Sequence, residues 1–125
     1  MTTIELTKDN FELTVSEPGM VMVDFWAAWC GPCRMFGPIF ETASQERSHI
    51  KFGKVDTEAQ REIAGAANVT SIPTLMAFRD GILVFSQAGA LPAPAFNELL
   101  DSVEALDMDA VRAEIANQVS QSTKA

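Results

Sequence analysis

Apolar and polar positions along this chain alternate between two periods, near 2 and near 3.6, and the switches between them divide it into elements. Met20-Val21-Met22-Val23-Asp24-Phe25-Trp26 is apolar at all but one position, the pattern of a strand covered on both faces in the middle of a sheet. Phe25 and Trp26 read as core, and Asp24 is the anomaly. Ile4 to Leu6 and Ile50 to Asp56 read as further strands. Thr74 to Phe78 and Ile82 to Gln87 flank Asp80-Gly81, a two-residue signal for a tight antiparallel hairpin. Between these runs the spacing turns helical. Thr7 is placed to cap a helix over Lys8 to Ser16, with Phe11 and Val15 inward and Pro18-Gly19 as its stop. Phe36, Ile39, Phe40 and Ala43 mark a second helix, which Pro38 should kink and which two cysteines open. A third is predicted over Glu58 to Ala67, with Ile63 and Ala67 on its buried face. Pro92 and Pro94 begin a fourth, in which Phe96, Leu99, Leu100 and Val103 would pack on the sheet.

Strands alternating with helices predict an α/β layer structure. With 125 residues and 47% hydrophobic content, the chain suits one domain, placed at residues 1–106. Beyond Leu106 the pattern weakens to a stripe of Met108, Val111 and Ile115, and Ser120 to Ala125 is polar. Residues 107–125 therefore read as a C-terminal extension, a marginal helix followed by a disordered tail. The net charge of -8 and the scattered Lys and Arg argue against nucleic acid, whose phosphates demand clustered cations. No run approaches the ~20 apolar residues of a membrane span. The start, Met1-Thr2-Thr3-Ile4-Glu5, lacks the basic and apolar regions of a signal peptide, so a cytoplasmic protein is expected.

That compartment changes how the two cysteines read, because in a reducing environment a lone close pair points to redox or metal chemistry. Cys30 and Cys33 lie three apart at a helix start, on one face, so their sulfurs can close a disulfide with little backbone motion. Unpaired amides of the first turn favour a thiolate on Cys30 over the thiol of an ordinary cysteine, whose pKa is ~8.5. Cys30 is then the nucleophile, and Cys33, one turn deeper, resolves the mixed disulfide. Pro32 suits the first turn, where its missing amide proton costs nothing, and it stiffens the link. The bare pair leaves inert buried cysteines or half of a zinc site open as well. Zinc takes four ligands, and only His49 and carboxylates remain, so a metal would need a second subunit. His49 itself reads as a solvated residue before a strand. Asp24, a carboxylate on a doubly covered strand, is desolvated, so its pKa should rise and it can exchange a proton near neutral pH. A structural Asp with satisfied hydrogen bonds is the alternative.

Trp29-Cys30-Gly31-Pro32-Cys33, after the strand holding Asp24 and before the helix holding Pro38, resembles the active site of the thioredoxin family. The likeness continues through Lys54-Val55-Asp56, Ser71-Ile72-Pro73-Thr74, the Asp80-Gly81 hairpin and Ala88-Gly89-Ala90, over residues 4 to 106. It implies a mixed five-stranded sheet sandwiched by four helices and a cytoplasmic, monomeric protein-disulfide reductase. It implies no bound cofactor, since the redox group is the cysteine pair. Electrons would come from NADPH through a separate flavoprotein, thioredoxin reductase, and pass to disulfide-containing client proteins. Asp24 becomes a buried base acting through water on Cys33, and Lys54 the lysine beside it, with a solvated strand-end lysine as the alternative. Ile72-Pro73 matches a cis-proline. Trp29, Ile72, Pro73, Gly89 and Ala90 would form an apolar docking rim, with the Ile72 backbone pairing to an extended client segment. Met35 and Pro38 read as structural. Gly31-Pro32 is the reductant form, where oxidant and isomerase relatives commonly carry a histidine. Two rival functions stand beside this one. A scaffold or chaperone-like module is disfavoured by the presence of both cysteines and Asp24, and an oxidant or isomerase would need an oxidising compartment. Residues 107–125 depart from the family pattern and read as a solvated appendage or a docking element.

Overall fold

Strands and helices alternate along residues 3–122, which the computed structural model describes. In order they are β1 (Thr3–Glu5), α1 (Phe11–Val15), β2 (Met20–Trp26), α2 (Gly31–Glu46), β3 (Lys51–Asp56), α3 (Arg61–Ala66), β4 (Thr74–Arg79), β5 (Ile82–Ala88), α4 (Ala93–Glu104) and α5 (Met108–Ser122). The sheet order is β1-β3-β2-β4-β5. β1, β2 and β3 run parallel, β4 runs antiparallel to β2, and β5 runs antiparallel to β4, the mixed five-stranded sheet that the resemblance implies.

The unbroken apolar run of β2 follows from its central place, between β3 and β4, with helices on both faces. Met20 and Met22 face the layer of α2 and α4, where Phe36, Phe40, Phe96 and Leu100 bury against Phe52 and Leu75. Val21, Val23 and Phe25 face the layer of α1 and α3, with Val15, Ile63, Val55 and Met76. In the first layer Phe36 meets Phe96 edge to face at 5.0 Å, and Phe40 meets Phe52 in the same way at 5.2 Å. Each such ring contributes roughly 1.5–3 kcal/mol by leaving water, so these layers fix α2 against the sheet. β3 carries Gly53 because Leu6 lies directly over it, and a Cβ there would overlap the leucine side chain.

The hairpin forms as predicted. Asp80 and Gly81 both take positive φ, 52° and 81°, which matches the twist of the flanking strands. A bulge between Ala77 and Phe78 adjusts the register. Several boundaries differ from the pattern. Residues 7–10 form a turn that caps itself, with Asn10 Oδ1 accepting from the Thr7 N–H at 2.7 Å and Thr7 Oγ1 accepting from Asp9, so α1 starts at Phe11 and not Lys8. Asp56 Oδ1 accepts from the N–H groups of Glu58 and Ala59, which turns the chain there and delays α3 to Arg61. Ala67 lies just past α3, half-buried. α2 continues through Pro38 as one helix. Trp26 is half-buried and not core, and Met35 is exposed.

The expected helix forms at the C-terminal end, and its far boundary differs. The polar run from Ser120 predicts disorder, yet α5 continues through Ser122; Thr123 to Ala125 lie outside the described residues. Met108 anchors α5 with only 6% of its surface exposed. Val111 and Ile115 border a shallow apolar groove shared with Ile82, Leu83 and Val84 of β5. Among the described residues no helix is long and apolar enough to cross a membrane.

Candidate active site

The site lies where β2 ends and α2 begins. Cys30 is the N-cap of α2, in extended conformation (φ -84°, ψ 114°), and Gly31 and Pro32 open the helix. The first four N–H groups of a helix normally lack intrahelical partners, and one of them finds a sulfur here: the Cys33 N–H donates to Cys30 Sγ at 3.2 Å. This bond is the local form of the electropositive first turn, and it would hold charge on a Cys30 thiolate. Cys30 and Cys33 are joined as a disulfide, with Cα atoms 5.2 Å apart. A spacing of three on a helix start therefore permits the bond without displacing α2.

Exposure does not separate the two sulfurs, since Cys30 is 3% and Cys33 4% exposed. Access does. Cys30 lines an open groove of about 490 Å³ together with Trp29, Val69, Thr70 and Ile72, whereas Cys33 does not border it. Any group entering that groove meets Cys30 first. The Ile72 carbonyl oxygen lies 3.7 Å from Cys30 Sγ, and the Ile72-Pro73 bond is cis.

Of the predicted rim, the structure brings Trp29 and Ile72 into the groove. Pro73 is buried behind it. Gly89, at φ 111°, donates its N–H to the Pro73 carbonyl at 2.8 Å, which fastens the end of β5 beside the start of β4. Gly89 and Ala90 are exposed but do not line this groove. Trp29 is 66% exposed, unusual for its size, and its indole N–H donates to Glu58 Oε1 at 2.7 Å. Glu58 was not legible as a site residue. It is 29 positions from Trp29, and its only signal was its place at the start of a predicted helix. Thr57, beside it, ties the loop to β2 by donating both its N–H and its hydroxyl to the Trp26 carbonyl, at 2.9 and 3.0 Å. Val69, Thr70 and Ser71 also line the groove and carried no motif of their own beyond Ser71.

Asp24 is 1% exposed, and neither carboxylate oxygen has a hydrogen-bond partner among the described residues. Burial pushes its pKa up from 3.8 to about 7, against a smaller lowering by the Lys54 charge. Alternation along β2 puts Asp24 on the face with Met20 and Met22, the face that α2 covers, so it lies on the cysteine side of the sheet. Lys54 is its register partner on β3, and the Lys54 ammonium lies over the Trp26 ring. Among the described residues no cluster of three His, Cys, Asp or Glu side chains is placed to hold a metal ion.

This geometry can be compared with known proteins. A family model described as Thioredoxin matches residues 2–105. The chain is 50% identical over 119 residues to "Putative thioredoxin 2" of Streptomyces coelicolor, covering 95% of this chain and 89% of that protein. It is 40% identical over 102 residues to the thioredoxin of Bacillus subtilis (81% and 97%), and 41% identical over 98 residues to that of Listeria monocytogenes (78% and 94%). A match of 119 residues within 125 includes at least residues 7–119, so the likeness to the Streptomyces protein runs through most of α5. A cysteine pair joined at a helix start, a groove that reaches one sulfur, the Ile72 carbonyl beside that sulfur and these relatives agree: the chain belongs to the thioredoxin family and is a thiol-disulfide oxidoreductase.

Proposed function

We propose that this chain reduces disulfides in client proteins, with Cys30 attacking, Cys33 resolving and Asp24 taking the proton that Cys33 must lose. The observation that carries the reading is the joined pair whose Cys30 sulfur borders the groove while the Cys33 N–H points at it. In the reduced protein the Cys30 thiolate attacks one sulfur of a client disulfide. That S–S bond breaks, one client thiolate leaves, and a mixed disulfide holds the client to Cys30. Asp24, through water, accepts the Cys33 proton; the Cys33 thiolate attacks Cys30 Sγ, and the second client thiolate departs. Two electrons have passed to the client, and the protein is left in the joined state described above.

A carboxyl with a pKa of about 7 is matched to this proton transfer near neutral pH, and Lys54 biases it toward the charged form. The Ile72 carbonyl beside Cys30 supports pairing with an extended client backbone, with Trp29 flanking one side of the groove. Recharging falls to a thioredoxin reductase, a flavoprotein that passes two electrons from NADPH. The protein works as a cytoplasmic monomer in which residues 1–106 form the catalytic domain and 107–125 are appended to it.

Insulin reduction in the presence of dithiothreitol tests the reading. The native chain should accelerate it, Cys30→Ser should return it to the uncatalysed rate, and the pair should show a potential near about -270 mV, typical of thioredoxin, and not the about -120 mV of a strong oxidant. Partner binding that survives both Cys→Ser changes, with no turnover in the native chain, would establish a scaffold instead.

A further inference from the structure

Trp26 has the pattern of a core residue but ends half-buried at the edge of the layer that α2 covers. It stands two positions after Asp24 on β2, so both side chains project from the same face. Lys54 is the register partner of Asp24 on β3 and shares that face. Asp24, Trp26 and Lys54 thus form a triangle across two strands, with the Lys54 Nζ 4.8 Å from the centre of the Trp26 ring.

Lys54 needs an anchor. Its ammonium is carried on a flexible four-carbon stem and prefers water, and it forms no ion pair among the described residues. A cation within about 6 Å of an indole centroid is attracted to the ring face, and indole is the strongest of the aromatic partners. We propose that Trp26 is a positioning residue: its ring holds the Lys54 ammonium on the Asp24 side of the strand pair, where that charge acts on the Asp24 carboxyl during proton exchange. The proposal rests on the reading of Asp24 as the proton acceptor. Few other groups compete for that role. β4 presents Leu75 opposite Asp24, α4 presents apolar residues, and Asp56 on β3 is engaged with the Glu58 and Ala59 amides. The cysteines of α2 do not ionise while joined.

The oxidised protein therefore gives a clean test, following the Asp24 carboxyl against pH by carbon NMR or infrared difference spectroscopy. Lys54→Met, which keeps the stem and removes the charge, should raise the midpoint, and Trp26→Leu should raise it by a comparable amount, roughly half a pH unit. Trp26→Phe keeps a weaker ring and should give a smaller rise, which also serves if Trp26→Leu fails to fold. In the Lys54→Met background the Trp26 changes should add nothing. The sign is diagnostic, because an indole that merely covers Asp24 would on removal admit water and lower the midpoint. A lowered or unmoved midpoint in both Trp26 variants, or an equal rise without Lys54, overturns the proposal. Turnover of Asp24→Asn judges the proton-transfer reading separately: a normal rate there removes that reading without altering the titration result.

Discussion

At the end of the sheet where β4 turns into β5, several charged side chains are paired with one another or with the backbone. Asp80 accepts from the Gly19 N–H at 2.8 Å and from Arg112 at 3.4 Å, and the Gly19 carbonyl in turn accepts from the Asp80 N–H. Arg79 donates to the last carbonyls of α4, Arg47 pairs with Asp101 and Glu104, exposed His49 lies 3.1 Å from Glu104, and Lys51 pairs with Glu17. At the other end, Asp24 is buried with neither oxygen paired among the described residues, and the Trp29 ring stands in solvent. The same fold therefore pairs its charged groups at one end and, at the other, buries a carboxyl that has no hydrogen-bond partner among the described residues. A folding sequence breaks local rules mainly where function requires it, so the contrast between the ends locates the site independently of the cysteines.

The contrast predicts that relieving the redox end stabilises the protein. Asp24 is neutral in the fold up to about pH 7 but ionises near 3.8 in the unfolded chain. Between those values the folded state binds a proton that the unfolded state has lost, so stability falls as pH rises through that window and is level above it. At ~1.4 kcal/mol per unit over about three units, Asp24→Asn should gain about 2–4 kcal/mol at pH 8 and little at pH 4, while slowing turnover. Urea denaturation of the oxidised protein at both pH values checks it. A variant that is destabilised at pH 8, or one whose gain does not depend on pH, breaks the comparison.

What the sequence made legible, and what it hid, divides along physical lines. The cysteine turn, the central strand and the Asp80-Gly81 hairpin were readable because each depends on neighbours in the chain: first-turn geometry, an uninterrupted apolar run, and two residues able to take positive φ. The burial of Asp24 followed from the same run. The starts of α1 and α3 were misplaced because Asn10 and Asp56 spend their side chains on nearby amides, a competition that periodicity does not register. Glu58 behind Trp29, and Lys54 over Trp26, are contacts between separate elements and leave no mark in either local pattern. The cis Ile72-Pro73 bond rested wholly on the family resemblance. α5 was underrated because a helix this polar gains its stability from a few contacts with β5, and those contacts are nonlocal.

If the far end is held by satisfied, ordinary packing, then its most sensitive point is the apolar anchor of α5. Met108 is almost wholly buried, and truncating such a side chain to Ala commonly costs 2–5 kcal/mol; about 2 is expected at this edge position, where the helix can settle. Met108→Ala should lower the denaturation midpoint and leave insulin reduction at the native rate, because α5 joins the hairpin end and the groove lies at the other. A loss of activity with no loss of stability would mean that the two ends are coupled.

The smallest effect is expected from the charges that clasp α5. Arg112 reaches Asp80 at 3.4 Å and Asp109 at 3.0 Å, but its side chain is half exposed and both partners face water, where Coulomb attraction is screened and side-chain ordering opposes it. Asp80 also does not depend on Arg112. Its carboxyl is held below the usual range first by the Gly19 backbone hydrogen bond and only then by the guanidinium. Arg112→Ala should accordingly leave the denaturation midpoint and the far-ultraviolet helix signal unchanged within error, and 0.5 M NaCl should do no more to the native chain than to the variant. Should Arg112→Ala melt α5 as fully as deleting residues 107–125 does, charge and not Met108 would be what docks the helix, and the orderly end of the molecule would prove as dependent on a single polar contact as the reactive one.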